Sequence, residues 1–298
     1  MRLIAALLVV VSHTFPLSGQ PPLTIMGVED LGALGVSIFF VISGFLVSAS
    51  FLRDPKAYLL KRVLRIEPGL IAALAITVVA LGFMTTAPTA DYAPRAAMYV
   101  LRNALFIPTD HDLPGLFAGN PIPGVVNGVL WTLRLEAAFY VVLMLVRADR
   151  RAIFALTALC VMVWAAMSWR LPDWADARVT RVAFLAARNG LLFFAGAAIQ
   201  LSNWRIPLWL AGGSALAFPL IGPLALPTAI LGLARPGKLP ADLSYGIYIY
   251  AFPVQQVLAA YGQLNILTAV FSVLPFAAAS WFLIERPALT LKPQKLRA

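Results

Sequence analysis

Two ionisable side chains, Arg2 and His13, stand eleven residues apart on an otherwise apolar stretch reading Arg2-Leu-Ile-Ala-Ala-Leu-Leu-Val-Val-Val-Ser-His13. Eleven steps of 100° make three turns plus about 20°, so on a helix the two share one face, roughly 16 Å apart along the axis. That is about half the hydrocarbon thickness of a bilayer, which puts a cation near one surface in line with an imidazole deep in a span. A neutral imidazole is suited to take a proton from a hydroxyl at neutral pH. An ionisable residue inside a membrane is costly and is a functional candidate by default; the structural alternative is a His bonded to a neighbouring helix or lying at the interface. Two later apolar runs carry similar groups: Trp131, Arg134 and Glu136 in one, Arg188 and Asn189 in the other. A carboxylate there needs protonation or a partner, so Glu136 belongs either to a reactive cluster or to a structural pair with an Arg.

The remaining candidates are weaker. Arg62-x-x-Arg65 falls on one helix face and would clamp phosphates in bidentate fashion, or serve as ordinary inner-surface charge against anionic lipid. Ser244, Tyr245, Tyr248, Tyr250, Gln255 and Gln256 form a polar set in one apolar run, suited to an interior site or, for the tyrosines, to interfacial anchoring. His111 lies between Asp110 and Asp112, but without ligand spacing it makes a poor metal site, and no metal is expected. The chain contains no phosphate-cradling Gly-rich loop, dinucleotide fingerprint or nucleophile elbow.

These residues need membrane-spanning helices to position them. Of 298 residues, 61% are hydrophobic and 12% charged, and the mean hydropathy is +0.84. Long apolar runs recur, which indicates an all-α polytopic membrane protein rather than a soluble core with one anchor. The first run carries His13 and lacks a small-residue cleavage site, so it reads as a span and not as a leader. The net charge of +10 sits in short loops between apolar runs, which argues against a nucleic-acid binder. Cys160, the single cysteine, excludes an internal disulfide and reads as a small buried hydrophobe.

Ten spans are expected, at 2–17, 31–52, 68–87, 127–146, 152–169, 182–201, two short ones within 206–234 broken by Pro219, Gly222 and Pro223, then 243–261 and 264–284. A basic amphipathic segment, 53–65, should lie on the membrane surface, with Pro68 opening the next helix. The longest loop, 88–126, contains an amphipathic stretch, Ala96–Ile107, followed by Pro/Gly/Asn-rich chain; such a loop suits a binding or lid role. With both termini cytoplasmic, sixteen Lys and Arg fall in inner segments and five (Arg95, Arg102, Arg170, Arg178, Arg181) in outer ones. His13 then lies in the outer half of its span. Glu136 sits about 10–15 Å from the outer surface, with Arg188 and Asn189 at a similar level, so His13, Glu136 and Arg188 are expected to converge.

At these residues the chain resembles the membrane-bound acyltransferase type 3 family. Arg2-x10-His13 is similar to its first-span signature and Gly35-Val-Ser-Ile-Phe-Phe-Val-Ile-Ser43-Gly44-Phe-Leu to its second span. Arg62-Val-Leu-Arg65-Ile-x-Pro68 resembles its cytoplasmic double-arginine motif, and Asn127-Gly-Val-Leu-Trp131-Thr-Leu-x-x-Glu136-x-x-Phe-Tyr140 its Trp/Glu motif. Phe193-Phe-x-Gly196, Asp242-Leu-Ser-Tyr245-Gly-Ile-Tyr248 and Ile284-Glu-Arg-Pro287 look like its later signatures, so the match covers nearly the whole chain. Four departures stand out: Arg2 follows Met1 where the family has a short Asp-Gly-Leu segment, Arg134 stands where many members have Pro, Ala251 stands where many have His, and no extracytoplasmic esterase-like domain is expected at the C-terminus.

The resemblance implies a single transmembrane acyltransferase domain over residues 1–298 in the cytoplasmic (inner) membrane. It implies transfer of an acyl group, commonly acetyl, from cytosolic acyl-CoA, a co-substrate rather than a bound cofactor, to a sugar hydroxyl of an envelope or exported polysaccharide. Arg2, Arg62 and Arg65 would bind the donor; His13, with Glu136, would act as base or as acyl relay. Trp131, Arg188, Asn189, Ser43 and Tyr245 would form the acceptor or supporting site. The acceptor would be a glycan or lipid-linked glycan, met by the chain itself or by a separate extracytoplasmic partner protein. A proton-coupled transporter, a small-molecule acceptor and a subunit handing acyl groups to a secreted transferase are the competing readings.

Overall fold

The computed structural model describes residues 1–108, 112–169, 177–234, 237 and 240–292. His111, Arg170, Arg235, Lys238, Lys295 and Arg297 lie outside them, as does the side chain of Arg178. The protein is nearly all-α. Its elements are α1 (Arg2–Leu17), a two-stranded hairpin of β1 (Thr24–Ile25) and β2 (Glu29–Asp30), α2 (Leu31–Arg53), α3 (Tyr58–Gly82), α4 (Thr89–Ala104), α5 (Leu130–Leu145), α6 (Arg150–Trp169), α7 (Ala177–Leu201), α8 (Leu208–Ile221), α9 (Leu226–Leu233), α10 (Ser244–Ala260), α11 (Ile266–Ser280) and α12 (Arg286–Thr290). The strands are antiparallel, with Thr24 opposite Asp30. Among the described residues, five helices are long and apolar enough to cross a membrane: Leu31–Arg53, Tyr58–Gly82, Arg150–Trp169, Val179–Leu201 and Ile266–Thr290. Arg2–Leu17 and Leu208–Leu224 are shorter apolar helices.

Four boundaries differ from those expected. The basic segment 53–65 is no separate surface helix: from Tyr58 it runs straight into α3, with Pro68 in the helix interior. Proline removes one backbone hydrogen bond, which membrane helices tolerate where neighbours pack against the break. Here Gly69 lets them, since a Cβ at this position would lie 2.8 Å from the Tyr245 ring and 3.3 Å from the Glu285 side chain. The outer-loop helix begins at Thr89 rather than at Ala96; its buried residues Tyr92, Ala96, Tyr99 and Asn103 recur at the helical period on one face. The last span continues to Thr290 through a π-helical turn, Trp281–Glu285. Finally, the run 206–234 breaks at Gly222, whose φ of +55° suits glycine, while Pro219 stays inside α8. The eight residues of α9 rise only about 12 Å, less than half of a hydrocarbon core.

The chain falls into two compact units. The first comprises Met1–Arg2, Val36–Pro55 and Leu135–Gly237, hence most of α2 and α5 with α6 to α9. Within it α2 crosses α7 closely. A Cβ on Gly44 would stand 1.8 Å from the Phe193 carbonyl oxygen, and one on Gly196 2.3 Å from that of Val41. Small residues allow such backbone approach, which is how apolar helices gain packing energy where the hydrophobic effect between them is absent. Beside the crossing, the Phe139 ring lies 5.5 Å from both Phe193 and Phe194 and 5.7 Å from Phe40.

The second unit comprises Leu3–Gly35, Lys56–Arg134 and Lys238–Ala298, hence nearly all of α1, the hairpin, α3, α4 and α10 to α12. Helix α10 meets α11 at Gly246, where a Cβ would lie 2.8 Å from Ala277 Cα. Two fully buried glutamines on α10 tie its neighbours down. Gln255 donates to the Val10 carbonyl (2.7 Å) and Thr14 Oγ1 (3.0 Å) of α1. Gln256 donates to the carbonyls of Ile122 (2.9 Å) and Val125 (2.6 Å), while Asn120 donates to Gln256 Oε1 (2.6 Å).

Gly44→Ala forces α2 and α7 apart and is expected to destabilise the protein by about 3 kcal/mol, as overpacking does. Gly212→Ala, where nothing lies within 4 Å, serves as control. Thermal midpoints of the two purified variants in detergent should separate clearly, with Gly212→Ala at the wild-type value or above.

Candidate functional site

His13 lies in the second unit, on the stretch of α1 that Gln255 grips at Val10 and Thr14. Its neighbour Ser12 donates to Asp30 Oδ1 (3.2 Å), and the same oxygen accepts the Ala33 N–H (2.8 Å), capping α2. The imidazole meets the Phe252 ring edge to face, 5.2 Å between centroids at 80°. Phe252 is held from behind by Gly128, where a Cβ would come within 2.7 Å of its ring, and Asn127 donates to the Ile249 carbonyl (2.9 Å) one turn earlier on α10. The Asn127-Gly128 step thus braces the aromatic wall of His13. Among the described residues, Nδ1 of His13 is buried and has no hydrogen-bond partner. An imidazole nitrogen left uncommitted while its helix is fixed on two sides is free to take up a proton or an acyl group.

The first unit holds Glu136, Ser43, Arg188 and Asn189. Ser43 on α2 donates to Glu136 Oε1 (2.5 Å), and Tyr140, one turn along α5, donates to the same oxygen. Oε2 accepts no hydrogen bond among the described residues. Arg188, 8% exposed, donates to Ser37 Oγ (2.9 Å) and to Asn189 Oδ1 (3.4 Å). Asn189 is fully buried and its amide nitrogen has no partner among the described residues. Helix α2 therefore supplies a serine to each of two charged groups, with Ser37 and Ser43 separated by about 9 Å of helical rise. Such an arrangement keeps a carboxylate oxygen and an amide N–H available in an apolar setting, where each is worth more than in water. Trp131 is half-buried in the first turn of α5.

The double-arginine motif divides in two. Arg62 is half-buried on α3. Arg65 is pinned: it contacts Asp242 at 2.6 Å and Glu285 at 3.5 Å, and its guanidinium lies 5.9 Å and 6.0 Å from the ring centroids of Tyr245 and Trp281. Ser244 donates to Asp242 (2.5 Å), Ser280 to Glu285 (2.9 Å), and Tyr245 to the Ile66 carbonyl (2.9 Å). The π-helical turn is what brings Glu285, 2% exposed, round to face Arg65. Arg2, half-buried, belongs to the first unit.

Sequence reasoning named Ser43, Glu136, Arg188 and Asn189 as site residues without pairing Ser43 to Glu136; in the structure Ser43 donates to Glu136, and Arg188 to Ser37 and Asn189. It gave no role to Ser37, Tyr140, Phe252, Asp242 or Glu285. Tyr140 had a visible signal, its i+4 spacing from Glu136. Asp242 and Glu285 stood in motifs, but nothing in the sequence pointed to their pairing with Arg65, which is far away along the chain. Of the polar set on α10, Tyr245, Gln255 and Gln256 are engaged in tertiary hydrogen bonds, and the Tyr248 hydroxyl lies 2.6 Å from that of Thr132.

The chain matches the family described as "Acyltransferase domain" over residues 1–240. It is 29% identical to an "O-acetyl transferase" of Shigella phage Sf6, covering 99% of this chain and 96% of the relative. It is 32% identical to "Nodulation protein 10" of Rhizobium leguminosarum bv. viciae, covering 98% and 92%. A third relative, the "Exopolysaccharide production protein ExoZ" of Rhizobium meliloti (strain 1021), is 28% identical over 87% of this chain and 90% of its own length. No solved structure is significantly similar.

Removing Arg65 leaves the buried Glu285 without that counter-charge, so Arg65→Gln is expected to cost about 3–5 kcal/mol. Arg65→Gln combined with Glu285→Gln should recover part of that loss. Thermal midpoints of the single and double variants measure the coupling; purely additive losses would sever the pair.

Proposed function

Because the chain belongs to the membrane-bound acyltransferase type 3 family, we propose that this multi-pass membrane protein is an O-acyltransferase. It moves an acetyl group from cytosolic acyl-CoA to a sugar hydroxyl of an envelope or exported polysaccharide. The observation that carries the chemistry is the buried, uncommitted Nδ1 of His13 on a helix fixed by Gln255. The name of the phage relative, matched nearly end to end, supports the acetyl group, and that of the exopolysaccharide-production relative supports a polysaccharide acceptor.

In this reading Arg2, Arg62 and Arg65 hold the coenzyme's phosphates, with Arg65 oriented by Asp242 and Glu285. His13 takes the proton of the acceptor hydroxyl as its oxygen attacks the thioester carbonyl; the C–S bond breaks and the proton passes to the departing thiolate, giving ester and free CoA. Glu136, whose Oε1 accepts from Ser43 and Tyr140, is the second catalytic residue of this reading, in the role of an orienting carboxylate. Asn189, with Arg188 and Trp131, lines the acceptor and donates to the developing oxyanion. In a relay variant His13 first carries the acyl group itself, releasing CoA before the hydroxyl attacks. The reading places the protein in the cytoplasmic membrane with ten membrane-embedded helical segments, α4 outside them, and both termini cytoplasmic. The charge bias supports this, and residues 1–298 are read as a single transmembrane acyltransferase domain. The acceptor is a glycan or lipid-linked glycan, met directly or through a separate extracytoplasmic partner.

The test is transfer of labelled acetyl from acetyl-CoA to glycan by purified, correctly inserted protein. His13→Ala should reduce the rate about 10²- to 10⁴-fold and Glu136→Gln by about 10²-fold. Wild-type transfer by His13→Ala would remove the centre of the mechanism, and no acylated product from the wild type would favour a carrier. With acceptor omitted, label on His13 identifies the relay.

A further inference from the structure

One cation in the second unit stands apart from the groups assigned above. Arg134 lies in α5, and its only polar contact among the described residues is a neutral one, Nη2 to Asn103 Oδ1 at 2.9 Å. Its Nε is buried and unpartnered, and so is the hydroxyl of Tyr99. Both Tyr99 and Asn103 are 2% exposed, on the buried face of α4. Asn103 is itself locked, since its amide nitrogen donates to the Tyr99 carbonyl (2.8 Å) one turn back. Helix α4 is in turn fastened to α3 by the Tyr92 hydroxyl on the Val78 carbonyl (2.7 Å). Burial pushes the Tyr99 hydroxyl above the usual tyrosine range, so it remains a protonated donor at physiological pH.

Among the described residues, a guanidinium without a facing carboxylate, beside a buried hydroxyl donor without an acceptor, is an unbalanced site. Each orphan donor costs desolvation energy that nothing inside this neighbourhood returns. An oxyanion would balance it, accepting from the guanidinium edge with one oxygen and from the tyrosine with another. A neutral sugar hydroxyl could accept either hydrogen bond but would leave the charge uncompensated. The half-exposed position of Arg134 gives a ligand a way in.

We propose that Arg134 and the Tyr99 hydroxyl, held by Asn103, form a subsite for the carboxylate of an acidic sugar in the acceptor glycan. This rests on the acceptor being a polysaccharide, as argued above, and adds that the polysaccharide is anionic and is recognised through its charge.

Two measurements on the full-length protein in neutral detergent test it separately. The first is binding of a glucuronic-acid trisaccharide and of its carboxyl-reduced counterpart. The wild type should prefer the acid about 10- to 100-fold, the span expected of charge-assisted hydrogen bonds. Arg134→Gln should abolish the preference, Arg134→Lys restore part of it, and Tyr99→Phe, which keeps the shape of the ring, reduce it several-fold. Equal binding of the two trisaccharides, a preference that survives Arg134→Gln, or displacement of the acid by equimolar inorganic phosphate would overturn the subsite. The second measurement is acetyl transfer to the same two trisaccharides, read as the ratio of their kcat/KM values. That ratio should fall to about 1 in Arg134→Gln. Acid-selective binding through Arg134 with no transfer to either sugar would keep the subsite and sink the enzymatic reading; transfer whose selectivity ignores Arg134 would do the reverse.

Discussion

A polar atom buried among apolar helices has no water to fall back on, so its partner must come from the protein or from a ligand. That constraint organises both units. In the second, Gln255 and Gln256 spend their amides on backbone carbonyls of α1 and of the 120–125 loop, and Tyr245 spends its hydroxyl on α3. In the first, Ser37 and Ser43 on α2 reach Arg188 and Glu136. Gln255, Gln256 and Tyr245 act as cross-braces, because hydrogen bonds between helices replace the hydrophobic drive that lipid does not supply.

Once the braces are assigned, what they leave over carries information. Among the described residues, the orphan atoms include His13 Nδ1, Asn189 Nδ2, Arg134 Nε and the Tyr99 hydroxyl. Arg65 shows the converse. As an arginine in a double-arginine motif it invites a phosphate-binding role, yet Asp242 and Glu285 already share its charge. Through these contacts Arg65 keeps α3, α10 and the π-helical turn in register.

Glycine plays the complementary part. Gly44 and Gly196 let α2 and α7 touch backbone to backbone, Gly246 does so for α10 and α11, and Gly128 gives Phe252 the room to face His13. A Phe-Phe-x-Gly string means little as a pattern. In place, its glycine is the point at which two helices meet, and its first phenylalanine supplies the carbonyl that Gly44 touches.

The amino-acid sequence by itself determined the class and which polar residues stand inside apolar runs. Apolar runs and charge-rich loops are local properties, legible without a fold, as is the Arg2–His13 spacing. The i+4 step from Glu136 to Tyr140 was equally open to reading. Tertiary structure alone decided the rest. Pro68 looked like a helix start, but packing by Tyr245 and Glu285 at Gly69 carries α3 through it. Glu285 could be matched to Arg65, Ser37 to Arg188 and Asn103 to Arg134 only in three dimensions. The reason is physical: propensity and hydropathy act over a few turns of one helix, whereas the partner of a buried polar group is whichever side chain the packing of distant helices brings within about 3 Å.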